Sequence, residues 1–126
     1  MESGFEFSCH TVALDAGETA TVFRVRGRLD EKSFLPIEST LQNLLNEKVR
    51  LFVFNVEELT SVSSSALGHL LRLADVVENG GGRCSFSVGR AILICMEVLG
   101  CTIFFPYIKE ADALHDLSNR LRSTQQ

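Results

Sequence analysis

Residues 51–71 read LFVFNVEELTSVSSSALGHLL, and this stretch decides the fold. Leu51, Phe52, Val53, Phe54 and Val56 form a segment too uniformly apolar for a strand with one wet face. It suits a strand covered on both faces, as central strands are when helices flank a sheet. A polar stretch from Glu57 to Ser65 follows, and from Ala66 the apolar residues return at helical spacing, with Leu67, Leu70, Leu71, Ala74 and Val77 on one face. A buried strand therefore feeds a helix through serines. The first N–H groups of that helix lack intrahelical partners and stand at the positive end of its dipole, so Ser63, Ser64 and Ser65 occupy a position that favours an anion. A phosphoryl group there would add about −1.5 to −2 charges and three acceptor oxygens.

Working outward toward the N-terminus, Phe5, Phe7 and Cys9 alternate with Glu6, Ser8 and His10, the pattern of a strand with one buried face. Asp15-Ala16-Gly17-Glu18 reads as a turn, and a second strand over 19–26 completes a hairpin. In it Thr21, Phe23 and Val25 face the core while Arg24 and Arg26 point away. Asp30 suits a helix N-cap, followed by Phe34, Ile37, Leu41, Leu44 and Leu45 at helical spacing. Pro36 interrupts the hydrogen-bond ladder, so the regular helix is expected over 34–47.

Toward the C-terminus, the helix after the serines is expected over 64–78, with Ser65, His69, Arg72 and Asp75 on a polar stripe and Gly80, Gly81 and Gly82 ending it. A strand over 83–88, a helix over 91–99, a short strand over 102–107 and an amphipathic helix carrying Ala111, Leu114, Leu117 and Leu121 follow. The order is β-β-α-β-α-β-α-β-α. It predicts a single-domain α/β fold with a mixed sheet whose later strands are joined by crossovers.

A length of 126 residues fits one domain, expected to span the whole chain with an ordered core over 5–117 and a frayed end over 122–126. The net charge of −4 argues against general affinity for nucleic acid or anionic membranes, and makes proteins the expected partners. Arg24, Arg26 and Arg28 read as a solvated face or a protected sheet edge rather than a nucleic-acid row. Cys9, Cys84, Cys95 and Cys101 form no C-x-x-C pair and have apolar neighbours, so they read as reduced, small core residues of a cytoplasmic protein. No apolar run approaches the roughly 18 residues of a membrane span.

Catalysis is not expected. Ser64 lacks a Gly-x-Ser-x-Gly elbow, and His10, His69 and His115 belong to separate elements. The glycines at 80–82 follow a helix and precede a strand, the reverse of a phosphate-binding loop, and no Gly-Lys-Ser or Gly-Lys-Thr is present. His and Cys lack zinc-like spacing, so no metal or other cofactor is expected.

The element order, Gly27-Arg28-Leu29-Asp30 before the first helix, Asn55 through Gly68 around the second, Gly81-Gly82 before a strand and Glu97-Val98-Leu99-Gly100 together resemble the STAS domain of bacterial anti-sigma-factor antagonists. That resemblance implies a partner surface around Asp30, Ser63, Ser64, Ser65, Ala66, His69 and Arg72, an anti-sigma factor or kinase-type signalling protein as partner, and Ser64 as phosphoacceptor. The family motif there runs Asp-Ser-Ser-Gly-Leu-Gly; this chain has Ser63 where the motif has Asp and Ala66 where it has Gly. The resemblance equally accommodates a constitutive subunit or scaffold of a stress-signalling or lipid-transport assembly without phosphorylation, and leaves a homodimer open.

Overall fold

The computed structural model describes residues 5–14, 17–60, 64–90, 93–94, 98 and 109–124. Their elements are β1 (Phe5–Ala13), β2 (Thr19–Gly27), α1 (Glu31–Asn46), β3 (Leu51–Leu59), α2 (Ser64–Asn79), β4 (Arg83–Val88) and α3 (Glu110–Thr124). The helix expected over 91–99 and the strand over 102–107 lie largely outside the described residues, although the Leu93 N–H donates to the Gly89 carbonyl at 3.0 Å as in a helical turn.

The strands form one sheet in the order β1-β2-β3-β4. β1 and β2 pair antiparallel from Phe5↔Gly27 to Ala13↔Thr19, whereas β2–β3 and β3–β4 pair parallel, as strands joined through helices must. One sheet face contributes Phe23, Val25, Phe52, Phe54, Val56, Phe86 and Val88 to a core closed by Phe34, Ile37 and Leu41 of α1 and Leu70, Leu73, Ala74 and Val77 of α2. The other face carries Ala20, Val22, Leu51 and Val53 under Ala113 and Leu117 of α3. Helices thus cover both faces, which is why β3 is apolar at consecutive positions.

Four expectations need correction. Helix α1 begins at Glu31, five residues before Pro36, because the capping box formed by Asp30 and Ser33 secures its first turn. Pro36 removes one bond, that to the Lys32 carbonyl, without breaking the helix. Strand β3 runs on to Leu59, so Glu57 and Glu58 belong to the sheet rather than to a loop. β2 is an inner strand, so its arginines do not guard an edge. Cys9 is exposed on β1, the terminal strand of the described sheet, whereas Cys84 is half-buried against the core.

The glycines after α2 have the role expected of them. The Gly81 N–H donates to the Glu78 carbonyl and the Gly82 N–H to the Val77 carbonyl, a Schellman closure with Gly81 at φ +83°. Helix α1 closes the same way, but with Lys48 in the left-handed position at φ 72°.

Candidate functional site

The site forms where the starts of α1 and α2 meet. Asp30 stands in extended conformation before α1; its Oδ1 accepts from the Ser33 N–H at 2.9 Å, and its own N–H donates to Ser33 Oγ at 2.8 Å. These bonds from the Ser33 main chain and hydroxyl hold the exposed Asp30 carboxyl below the usual carboxylate range, so the residue stays charged at the helix start.

Helix α2 begins at Ser64, which places Ser64, Ser65 and Ala66 in its first turn. Ser63 lies outside the described residues. Two ties bring the helix starts together. The Thr60 N–H, just past β3, donates to the Gly27 carbonyl at 2.7 Å, joining the β3–α2 connection to the segment leading into α1. Further along, the His69 ring stacks on the Phe34 ring with centroids 4.9 Å apart, and the Arg72 guanidinium lies 4.9 Å above the same ring.

His69 and Arg72 are therefore packed against α1 rather than standing as a free polar stripe. Arg72 also sits 3.6 Å from Glu38, which offsets its charge. Phe34 and Glu38 do this work unseen in the sequence, where Phe34 reads only as one core position among several. Leu35, more than half exposed in the second turn of α1, adds an apolar contact point. Gly68 is exposed on α2, and a side-chain carbon there would meet open space, so a partner can approach the backbone closely.

A second polar cluster lies on the α3 side of the sheet. Arg24 donates through Nε and Nη2 to the two carboxylate oxygens of Glu110, each at 3.0 Å, and Asn55 Nδ2 donates to Glu110 Oε1 at 2.8 Å. The Arg24 bonds, reinforced by Asn55, pull the Glu110 carboxyl below its ordinary range and raise Arg24. The register between β2 and β3 slips here, with Arg24 opposite Asn55 but Arg26 opposite Glu58. Asn55 Oδ1 accepts the Glu57 N–H at 3.0 Å across the irregularity. Arg26 meets Glu58 at 3.5 Å and Glu6 at 3.7 Å, so two of the three arginines read as a row are matched by carboxylates. Among the described residues no group of three His, Cys, Asp or Glu could hold a metal, and no helix is long and apolar enough to cross a membrane.

A mixed sheet with a hairpin at one side, parallel crossovers after it, two helices on one face and a serine opening the second of them define the class of STAS-type α/β domains. The chain belongs to the STAS domain family, which matches residues 11–110. Solved structures share the fold. An anti-sigma factor antagonist from Mycobacterium paratuberculosis superimposes with a TM-score of 0.68 at 17% identity, covering 89% of this chain and 94% of that one. The anti-sigma factor antagonist SpoIIAA in its unphosphorylated form gives 0.67 at 20% identity over 94% of this chain and 97% of its own. The Bacillus cell-fate determinant SpoIIAA in its phosphorylated form gives 0.65 at 19% identity over 89% and 99%. No curated protein sequence matches the chain.

Proposed function

We propose that this protein is a non-enzymatic regulatory module of the cytoplasm that binds an anti-sigma factor or related kinase-type signalling protein through the paired starts of α1 and α2, with Ser64 as phosphoacceptor. The observation that carries this reading is the position of Ser64 at the opening of α2, beside a helix start linked to it through Thr60–Gly27 and Phe34–His69. The first main-chain N–H groups of a helix have no intrahelical partner, so those of α2 would stabilise an added phosphoryl group, while its charge would change what the shared surface can dock against. The fold need not alter for binding to be lost. The likeness to antagonists solved in both phosphorylation states supports the reading.

The test compares wild type, Ser64→Ala and Ser64→Asp for binding to a candidate anti-sigma kinase, with intact mass measured after incubation with kinase and ATP. Wild type should gain one phosphate and Ser64→Ala none, and Ser64→Asp should bind more weakly than Ser64→Ala. Equal affinity for all three, with no mass change, refutes the switch. Ser63 and Ala66, where the family motif has Asp and Gly, favour a second reading as a constitutive assembly subunit. That reading requires stoichiometric co-purification with the assembly and unmodified mass throughout.

A further inference from the structure

Two contacts of different strength hold Arg72. Its guanidinium lies 4.9 Å above the Phe34 ring, and its Nη2 stands 3.6 Å from Glu38 Oε1. The ring fixes where the charge sits, whereas the ion pair is too long for a hydrogen bond and is open to water. A guanidinium carries five N–H donors in a planar fork that matches a carboxylate at two points. Glu38 leaves most of that fork unused, and the Arg72 side chain is 56% exposed against 22% for Glu38.

The surroundings leave room for a second carboxylate. Long side chains of a helix lean back over the preceding turn, and four positions before Arg72 that turn carries Gly68, where a side-chain carbon would meet open space. On α1, the exposed Leu35 stands three positions before Glu38, which sets an apolar margin beside the ion pair.

From these features we infer that Arg72 is the charged anchor of the docking surface, and that Glu38 stands in for an aspartate or glutamate of the partner protein that displaces it on docking. The inference rests on the reading of the paired helix starts as a protein-binding surface. The exchange is favourable because its two sides differ in environment. Releasing Glu38 breaks a long, water-screened pair and returns its carboxylate to solvent. A partner carboxylate arrives with a surface that excludes water, and can close to about 2.7–2.9 Å on both arms of the fork. Stacking on Phe34 has already restricted the Arg72 side chain, so less conformational freedom is lost when the partner seats.

Isothermal titration of the full chain into the candidate anti-sigma kinase of the Ser64 experiment tests the exchange, with circular dichroism and thermal melting to verify each fold. Arg72→Leu should weaken binding about tenfold or more, and Arg72→Lys should fall between it and wild type, because the charge remains while the fork is lost. Glu38→Gln should tighten binding about two- to fivefold, the worth of an exposed ion pair that no longer has to be broken. In the Arg72→Leu background the same Glu38→Gln change should give no gain, which separates release of Arg72 from plain repulsion between Glu38 and the partner. A gain that persists in that background overturns the inference, as do a Glu38→Gln variant no tighter than wild type and a folded Arg72→Leu variant of undiminished affinity. If binding in those cases still responds to Ser64→Asp, the docking surface stands and only the exchange falls. A wild type that binds no kinase refutes both.

Discussion

Replacing Glu110 with Gln keeps the shape of the side chain and removes its charge from a cluster in which three hydrogen bonds converge on one carboxylate. Charge-assisted bonds can each contribute about 1.5–3 kcal/mol when buried. Here the Glu110 side chain is 18% exposed but that of Arg24 is 56% exposed, so water screens the pair strongly. The expected loss at neutral pH is therefore about 1 kcal/mol. This corresponds to a fall of roughly half a molar in the urea midpoint of a domain this size. The pH dependence gives a second, sharper criterion. Because the folded-state carboxyl is held below its ordinary value, its contribution is complete above the unfolded glutamate value of about 4.3 and disappears as pH falls through the folded one. Urea titrations of wild type and Glu110→Gln at neutral pH and at successively more acidic values should show the two midpoints converging. A deficit that persists unchanged once both side chains are neutral would mean the variant acts through packing. Identical midpoints at neutral pH would mean the cluster contributes nothing.

Two further substitutions probe the helix ends. Lys48→Gly should stabilise the fold by about 0.5–1 kcal/mol, because a non-glycine residue in the left-handed region costs roughly 1–2 kcal/mol and glycine's extra chain entropy returns part of that. Lys48→Ala keeps the backbone strain and should show no comparable rise in melting temperature. Gly82→Ala should lose roughly 1–3 kcal/mol, since the new carbon would lie 2.5 Å from the Arg50 carbonyl oxygen, a backbone atom that cannot swing away. Thermal denaturation of the two variants beside wild type should move in opposite directions.

Much of the fold is legible residue by residue. Asp30 announces a helix start, Gly81 a helix end, and the run from Leu51 to Val56 a strand covered on both faces, because each depends on neighbours within a few positions. Pro36 misleads for the same reason: its local effect is clear, but the capping box that outweighs it depends on Ser33, an unusual residue for the task. His69 and Arg72 show the limit within the site. Helical spacing places them on one stripe, yet nothing in that spacing says that Phe34 of another helix lies beneath both.

Taken alone, the amino-acid order determined the kinds of the described elements, their sequence along the chain and the serine at the mouth of α2, since capping, periodicity and turn chemistry act between near neighbours. Tertiary structure decided which distant groups meet. Arg24 and Glu110 are 86 positions apart, and Thr60 binds Gly27 across two strands. Such meetings follow from strand order, register and the side of the sheet on which each helix returns. These are properties of the packed whole that no local run of residues encodes.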